Sequence, residues 1–531
     1  MKHIKINSGA AVLLTSLLLA GLTSCTKNFE SYDTNPSYLT SSQTIAILPT
    51  AFGPLEQSIY SNYQTAQNLS ADGFSGYMMS PNPFKSSYDL NYGLVDGWDR
   101  NGFVDQYNLV MAPVSKIAAA GTPTQRPDYW AVALLIQVEA MDRVTDRFGP
   151  IPYSKAGSSI TSVPYDSQQS VYNQFFLQID TAIANLKAYI QAHPGQKPLG
   201  TNDLVYKGDY TEWLKFANSL RLRLAMRLVK IDAATAQAQA EKAMADPDGL
   251  LSAPGDDALV AQSGGRNNDI WTVAASYGDC RMNAALLTYM TGYHDPRLPM
   301  YATPATTSAV AAAAPGGYEG IRIGALVDKS VYGVYASPNT TTTFTQTASQ
   351  YFMTAAEMWF LKAEAALRGW AGAGDVQTDY EQGINTSFQQ WKVSAGTYVS
   401  NTTDTALAYT DPNNAGNNDT ALTKITIAWD NGASDETKLE RIITQKWIAM
   451  FPDGQEAWSD YRRTGYPRLF PVVNNTSGGT IDTKTQIRRL AYPQTEYTTN
   501  GAAVNSAVQT LLGGPDNGGT RLWWDVNKGN F

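Results

Sequence analysis

Four stretches of this chain repeat apolar residues every three or four positions, and each is followed by a second helical stretch. In 130–147 the stripe is Trp130, Leu134, Val138, Met141 and Val144, with Glu139, Asp142, Arg143, Asp146 and Arg147 on the other side. In 213–229 it is Trp213, Ala217, Leu220, Leu224 and Leu228; in 351–368 it is Phe352, Ala356, Trp359, Ala363 and Ala366. In 436–450 it runs through Leu439, Ile443, Trp447 and Met450. Gly369 stands where a helix C-terminus wants a residue able to adopt positive φ. The partner stretches are 170–189, 233–245, 376–393 and a short helix over 456–463. An apolar stripe cannot be buried by its own helix, so stacking of helix pairs is the economical fold. The irregular spacing between pairs excludes a consensus tetratricopeptide array, and an unrelated helical domain remains the alternative. Between the pairs, 72–110, 250–350, 395–432 and 465–520 are rich in Gly, Asn, Thr, Tyr and Pro. Loops of that length on a rigid scaffold usually carry function. The expectation is a mainly α chain: a single large domain with a helical scaffold, a loop-rich lobe and a few short strands.

The N-terminus reads as a targeting segment. Lys2, His3 and Lys5 precede an apolar run from Gly9 to Leu22, too short to span a bilayer, and Leu22-Thr23-Ser24-Cys25 follows at once. The tetrapeptide resembles a bacterial lipobox, which makes 1–24 a signal peptide and Cys25 the acylated first residue of a mature chain over 25–531. An ordinary secretory signal with a chance cysteine is the competing reading. No later apolar run reaches the roughly 18–20 residues of a membrane-spanning helix. If Cys25 carries lipid, Cys280 is left without a disulfide partner and reads as a small packed residue rather than a nucleophile.

Composition narrows the partners. Charged residues make up 16% of the chain and the formal net charge is −8, a poor balance for neutralising phosphates, so nucleic acid is excluded as a ligand. Two Cys and three His leave little for a Cys/His metal site. The 30 Tyr and 12 Trp outnumber 16 Phe, an excess that suits surface recognition because both rings carry a polar handle. Asp411 to Asp419 has the central Gly416 of an EF-hand loop, but Ala415 and Leu422 stand where oxygen ligands are required, so it reads as a plain loop. No metal or cofactor is expected. H-E-x-x-H, G-x-S-x-G and P-loop motifs are absent, and no catalytic residue is assigned. Glu357 and Glu364, one turn or two along a helix, read as solvated or paired with Lys362 and Arg368.

Several motifs follow one another in an order that resembles a known family. Phe29-Glu30-Ser31-Tyr32-Asp33-Thr34-Asn35-Pro36 follows the lipobox; Asp146-Arg147-Phe148-Gly149-Pro150-Ile151-Pro152-Tyr153 closes the first long helix. His294-Asp295-Pro296-Arg297-Leu298-Pro299, the helix Ala355 to Ala366, Gln445 to Phe451, Ala457 to Pro467 and Arg488 to Pro493 complete the set. Together they resemble the SusD/RagB lipoproteins, nutrient-binding proteins of Bacteroidetes, and the SusD-like subgroup in particular. The resemblance implies a mostly α fold of tetratricopeptide-like helix pairs and an outer-membrane location through a lipid anchor, facing the cell exterior. It also implies capture of an oligosaccharide or other nutrient, handed to a TonB-dependent, SusC-like transporter. Thr26-Lys27-Asn28-Phe29-Glu30 departs from the family's surface-export signals, which often place several acids after the lipidated Cys.

Glycan binding needs aromatic faces to stack on sugar rings, with amides and charged groups for the hydroxyls. Two loops hold that mixture in segments where the family places ligand contacts. One carries Trp98 and Asn101; the other carries Arg266, Asn268, Trp271 and Tyr277. For Trp98 the competing role is an aromatic that opens a helix and packs inward; Trp271 and Tyr277 have core alternatives too. Asp72 reads equally as a turn cap or a ligand contact. Two other functions stand beside capture: a helical surface glycoside hydrolase, which needs a convergent acid pair, and a non-catalytic envelope adaptor.

Overall fold

The expected helices form, with ends within about four residues of the periodic stretches, and most of their starts carry a side-chain cap. The computed structural model describes residues 45–159 and 162–531, so Cys25 and the signal segment lie outside the described residues. We label the principal helices α1 (Asp96–Gln106), α2 (Pro127–Phe148), α3 (Gln168–Ala192), α4 (Tyr210–Arg227), α5 (Ala233–Ala245), α6 (Ala284–Gly292), α7 (Ala355–Leu367), α8 (Val376–Gln390), α9 (Asp435–Ala449) and α10 (Gly454–Thr464). Side chains of Ser167, Asp209, Asp232, Asp375, Ser434 and Asp453 accept from the first-turn amides of α3, α4, α5, α8, α9 and α10. Pro127 opens α2 at a position where no amide is needed. Gly369 has φ +74° just past α7, and Gly465 ends α10 at φ +81°.

Helices α2 and α3, α4 and α5, and α7 and α8 pack as consecutive pairs. Helix α3 also packs on α4, α4 on α7, and both α7 and α8 on α9, so the stack is continuous. The fourth pair departs from the expectation. Helix α10 packs mainly on a short helix at Ala71–Phe74 and on α4. Gly454 makes that approach possible: a Cβ there would lie 2.3 Å from an Asp72 carboxylate oxygen.

The other side of the first stripe is not a solvated face. Glu139, Asp142, Arg143, Asp146 and Arg147 are all buried, and α2 is covered almost all round. Arg223 of α4 pairs with Glu357 of α7 at 2.6 Å and with Glu139 at 3.3 Å. Arg143 pairs with Asp453 at 2.9 Å and Arg227 with Asp146 at 2.8 Å. Lys446 of α9 reaches Asp460 at 2.7 Å, and Arg463 of α10 reaches Glu364 at 2.6 Å. The solvated reading of Glu357 and Glu364 is therefore corrected. Glu364 does bond Arg368, at 2.8 Å, but α4, α8 and α9 cover α7, and a buried carboxylate persists only with cations against it. Burial opposes the charge of Glu364, but Arg463 and Arg368 outweigh it and hold the group below its usual range.

Strands are few and short, and they stitch the loop-rich lobe. Met78–Met79 pairs antiparallel with Arg281–Met282, Ala258–Val260 with Gln350–Met353, and Ala302–Thr303 with Ser337–Pro338. The lobe has its own core of Leu90, Val310, Ile321, Tyr332 and Tyr335. Residues 49–531 cluster as one unit. Among the described residues, no helix is long and apolar enough to cross a membrane.

Candidate functional site

The ladder between Met78–Met79 and Arg281–Met282 joins the two loops that carry the candidate residues. Met79 stands opposite Arg281, so the segment after 79 and the segment before 281 leave the same short ribbon. A carboxylate fixes their spacing. Asp279 Oδ1 accepts from Asn82 Nδ2 at 3.2 Å and pairs with Lys329 Nζ at 2.7 Å, and its other oxygen accepts from Gln64 at 3.5 Å. Lys329 Nζ also donates to the Tyr277 carbonyl at 3.0 Å. Four chain segments thus meet at one side chain.

Around this belt stands an exposed apolar surface. Trp98 lies in the first turn of α1, half-buried and, like Val95 and Val327, packed on the edge of the lobe core. Its indole meets Phe84 edge-on at 5.6 Å and Tyr88 at 6.3 Å, with Lys85 Nζ 5.7 Å from the ring centroid. Tyr277 is 52% exposed, Leu326 65%, and Phe84 and Val331 also stand in solvent. Large apolar side chains exposed together mark a binding surface more often than an accident. Phe84 has φ +34°, a conformation that a bulky residue adopts only when its surroundings impose it.

Trp98 is half-buried beside Phe84 and Tyr277 is exposed, and the other candidates are placed differently. Arg266 turns inward: its guanidinium donates to the carbonyls of Gln57 at 2.5 Å and Tyr60 at 2.8 Å and pairs with Asp269 at 3.0 Å. Asn268 is fully buried. Its amide donates to the carbonyls of Ala348 and Ser349 and to Gln350, and its oxygen caps the Trp271 amide at 3.1 Å. Both residues shape the loop that presents Trp271, itself half-buried, and Tyr277. Asn101 donates to Thr65 at 2.9 Å and lines a cavity of about 440 Å³ with Arg100, Tyr107 and Glu496. Residue typing alone missed Phe84, Leu326, Val331 and the Asn82–Asp279–Lys329 belt. The proline-bracketed Pro81-Asn82-Pro83-Phe84 was the available signal, since such a run disfavours both helix and central strand and leaves its aromatic outside.

Other candidates resolve into structure. Asp72 is buried and accepts from Tyr63 at 2.6 Å and Gln67 at 3.1 Å; burial pushes it up to about 6. Burial likewise pushes the Cys280 thiol up to about 12, far from a reactive thiolate. Asp411 accepts from Tyr335, Tyr332, Asn413 and Asn417, so its oxygens are already bonded.

Comparison with known proteins was made over the whole chain. A family model described as SusD and RagB outer membrane lipoprotein matches residues 29–525. The chain is similar to the solved structure of a chitin-binding SusD homologue from Flavobacterium johnsoniae. The two share 42% identity and a TM-score of 0.86 over 91% of this chain and 100% of that one. A SusD homologue from Bacteroides uniformis shares 35% identity and a TM-score of 0.84 over 90% and 99%. A SusD-like protein from Bacteroides thetaiotaomicron shares 34% identity and a TM-score of 0.84 over 90% and 99%. No curated protein matches the chain.

Proposed function

The chain belongs to the SusD/RagB family of outer membrane lipoproteins, and from that premise we propose that it captures an oligosaccharide and delivers it to a TonB-dependent, SusC-like transporter. The observation that carries this reading is the exposed Phe84 and Tyr277 and the half-buried Trp98, in segments that the Asn82–Asp279–Lys329 belt and the Phe84–Trp98 ring contact hold together. Rings held by a rigid frame stack on the C–H faces of pyranoses with little loss of rotamer freedom, and the belt supplies charged and amide groups for hydroxyls. The glycan class to try first is chitin-derived, because the relative from Flavobacterium johnsoniae is described as chitin-binding. Acylation of Cys25 anchors the protein to the outer membrane, facing outward. The role is capture without catalysis. Two acids considered as a hydrolase pair, Glu357 and Glu364, are buried and ion-paired within the scaffold.

The test is calorimetric titration of chito-oligosaccharides and other glycans into wild type, Trp98→Ala and Tyr277→Ala, with unfolding curves alongside. A shallow surface should bind longer chains better, with affinities of micromolar to millimolar order, about −8 to −4 kcal/mol. Either variant should weaken binding about tenfold or more while keeping its unfolding midpoint. If both variants bind as wild type does, the surface is not the site.

A further inference from the structure

On the lobe, between α6 and the segment 405–410, a narrow slot of about 50 Å³ runs inward from an exposed mouth at Pro315, Leu407, Ala408 and Thr410. A single water needs roughly 10–15 Å³, so the slot has room for a few heavy atoms and not for a sugar ring. Its walls are short and apolar, chiefly Ala284, Leu287 and Ala313. Its floor is not. Glu319 is 3% exposed, and its carboxyl makes no hydrogen bond, Oε1 being fully buried. Thr291, 8% exposed, also points an unbonded hydroxyl oxygen into the protein. Thr288 beside it donates to the Ala285 carbonyl at 2.9 Å, which leaves its oxygen free to accept. No Lys, Arg or His lines the slot. The charged neighbour that acts on Glu319 is the carboxyl of Asp411, and Tyr318 and Tyr409 are the other titratable groups on the wall.

Buried acceptors without donors are costly and rare in folded proteins. Here two belong to side chains that line one slot, a third acceptor stands beside them, and the charged group acting on Glu319 is another carboxyl. We propose that this slot binds the protonated head of a slim primary alkylamine, with Glu319, Thr291 and Thr288 as its acceptors. An alkylammonium carries three N–H donors on a positive centre, and its methylene stem suits the apolar walls. Tyrosine rings near the stem add to the attraction for a cation. The site is independent of the glycan surface and stands or falls separately from it.

Burial, with Asp411 adding to it, pushes Glu319 up to about 8. An ammonium arriving against the carboxyl favours the ionised form, so binding at neutral pH should release a proton.

The probe is n-butylammonium chloride, titrated calorimetrically into the whole protein in two buffers of different ionisation heat. N-butylacetamide serves as the uncharged analogue and potassium chloride as the bare cation. Butylammonium should bind with a buffer-dependent heat, and N-butylacetamide and potassium should not. Glu319→Gln should weaken binding about tenfold or more. Leu407→Trp, at the exposed mouth, should also block it without touching the floor, which covers the case that Glu319→Gln alters folding. Acetyl-lysinamide and glucosamine separate the sources of the amine: the lysine stem should enter and the ring-borne amine should not. Potassium binding equal to butylammonium, glucosamine binding better than acetyl-lysinamide, or butylammonium binding unchanged in both variants would each overturn the proposal.

Discussion

Trp447 and Asn268 are both large or polar side chains in family-like motifs, and their surroundings give them opposite visibility in the sequence. Trp447 stacks on Tyr77 at 5.5 Å, meets Tyr289 at 5.3 Å and donates its indole N–H to the Ser75 carbonyl at 2.8 Å. Its place on an apolar stripe at helical spacing already marked it as core. Trp447→Ala should lower stability by about 3–5 kcal/mol, the range for truncating a buried large aromatic. Urea unfolding reads this directly; an unchanged midpoint would contradict it. Asn268 gave no such signal. Residue type names what a side chain can bond to, not what lies beside it, and its partners sit some eighty positions away at 348–350. Arg266 is the same case, held by carbonyls near position 60. Exposure was therefore legible where local chemistry decided it, as at Tyr277, and illegible where long-range bonding did, as at Asn268 and Arg266.

At the scale of the element, the start of α1 couples the site to pH. Asp89 and Asp99 are buried where each acts on the other's charge, and Asp89 accepts from the Val95 amide at 2.8 Å. Burial raises Asp89 to about 7 and raises Asp99 well above its usual range, with the two carboxyls opposing each other's charge. Lys85, Asp96 and Arg147 are the other charged groups acting on the pair. Both acids are harder to ionise in the folded chain than in the unfolded one, so the folded state holds the extra proton. The stability this lends is complete below the ordinary value of 3.8 and is lost as pH rises through about 7. Thermal unfolding followed from pH 5 to 8 should show the wild-type midpoint falling relative to that of Asp99→Asn, which has one acid fewer to ionise. Parallel curves would remove the pair from this role. The helices themselves were legible because capping and periodicity are local. The route of α10 was not, because it depends on Gly454 meeting Asp72, nearly four hundred residues earlier.

At the scale of the molecule, the scaffold turns an ordinary preference inside out. Many of the few charges this chain has are inside it, tied across α2, α4, α7, α9 and α10 and packed among buried aromatic rings. That is why the side of α2 rich in Glu, Asp and Arg is an interior rather than a surface. The anchor is a separate matter from the scaffold. Cys25→Ala should move the protein from the membrane fraction to the soluble one with its unfolding midpoint intact, since no described helix can hold it in a bilayer. Retention in membranes of cells lacking the transporter would contradict that. The buried ion pairs also bear on the medium in which such a protein works. Mobile ions screen charges that face water, over about 8–10 Å, and scarcely reach pairs sealed between helices. A fold laced internally by charge is therefore little loosened by salinity, and the proposed grip of aromatic rings on a neutral sugar would be diluted little by brine.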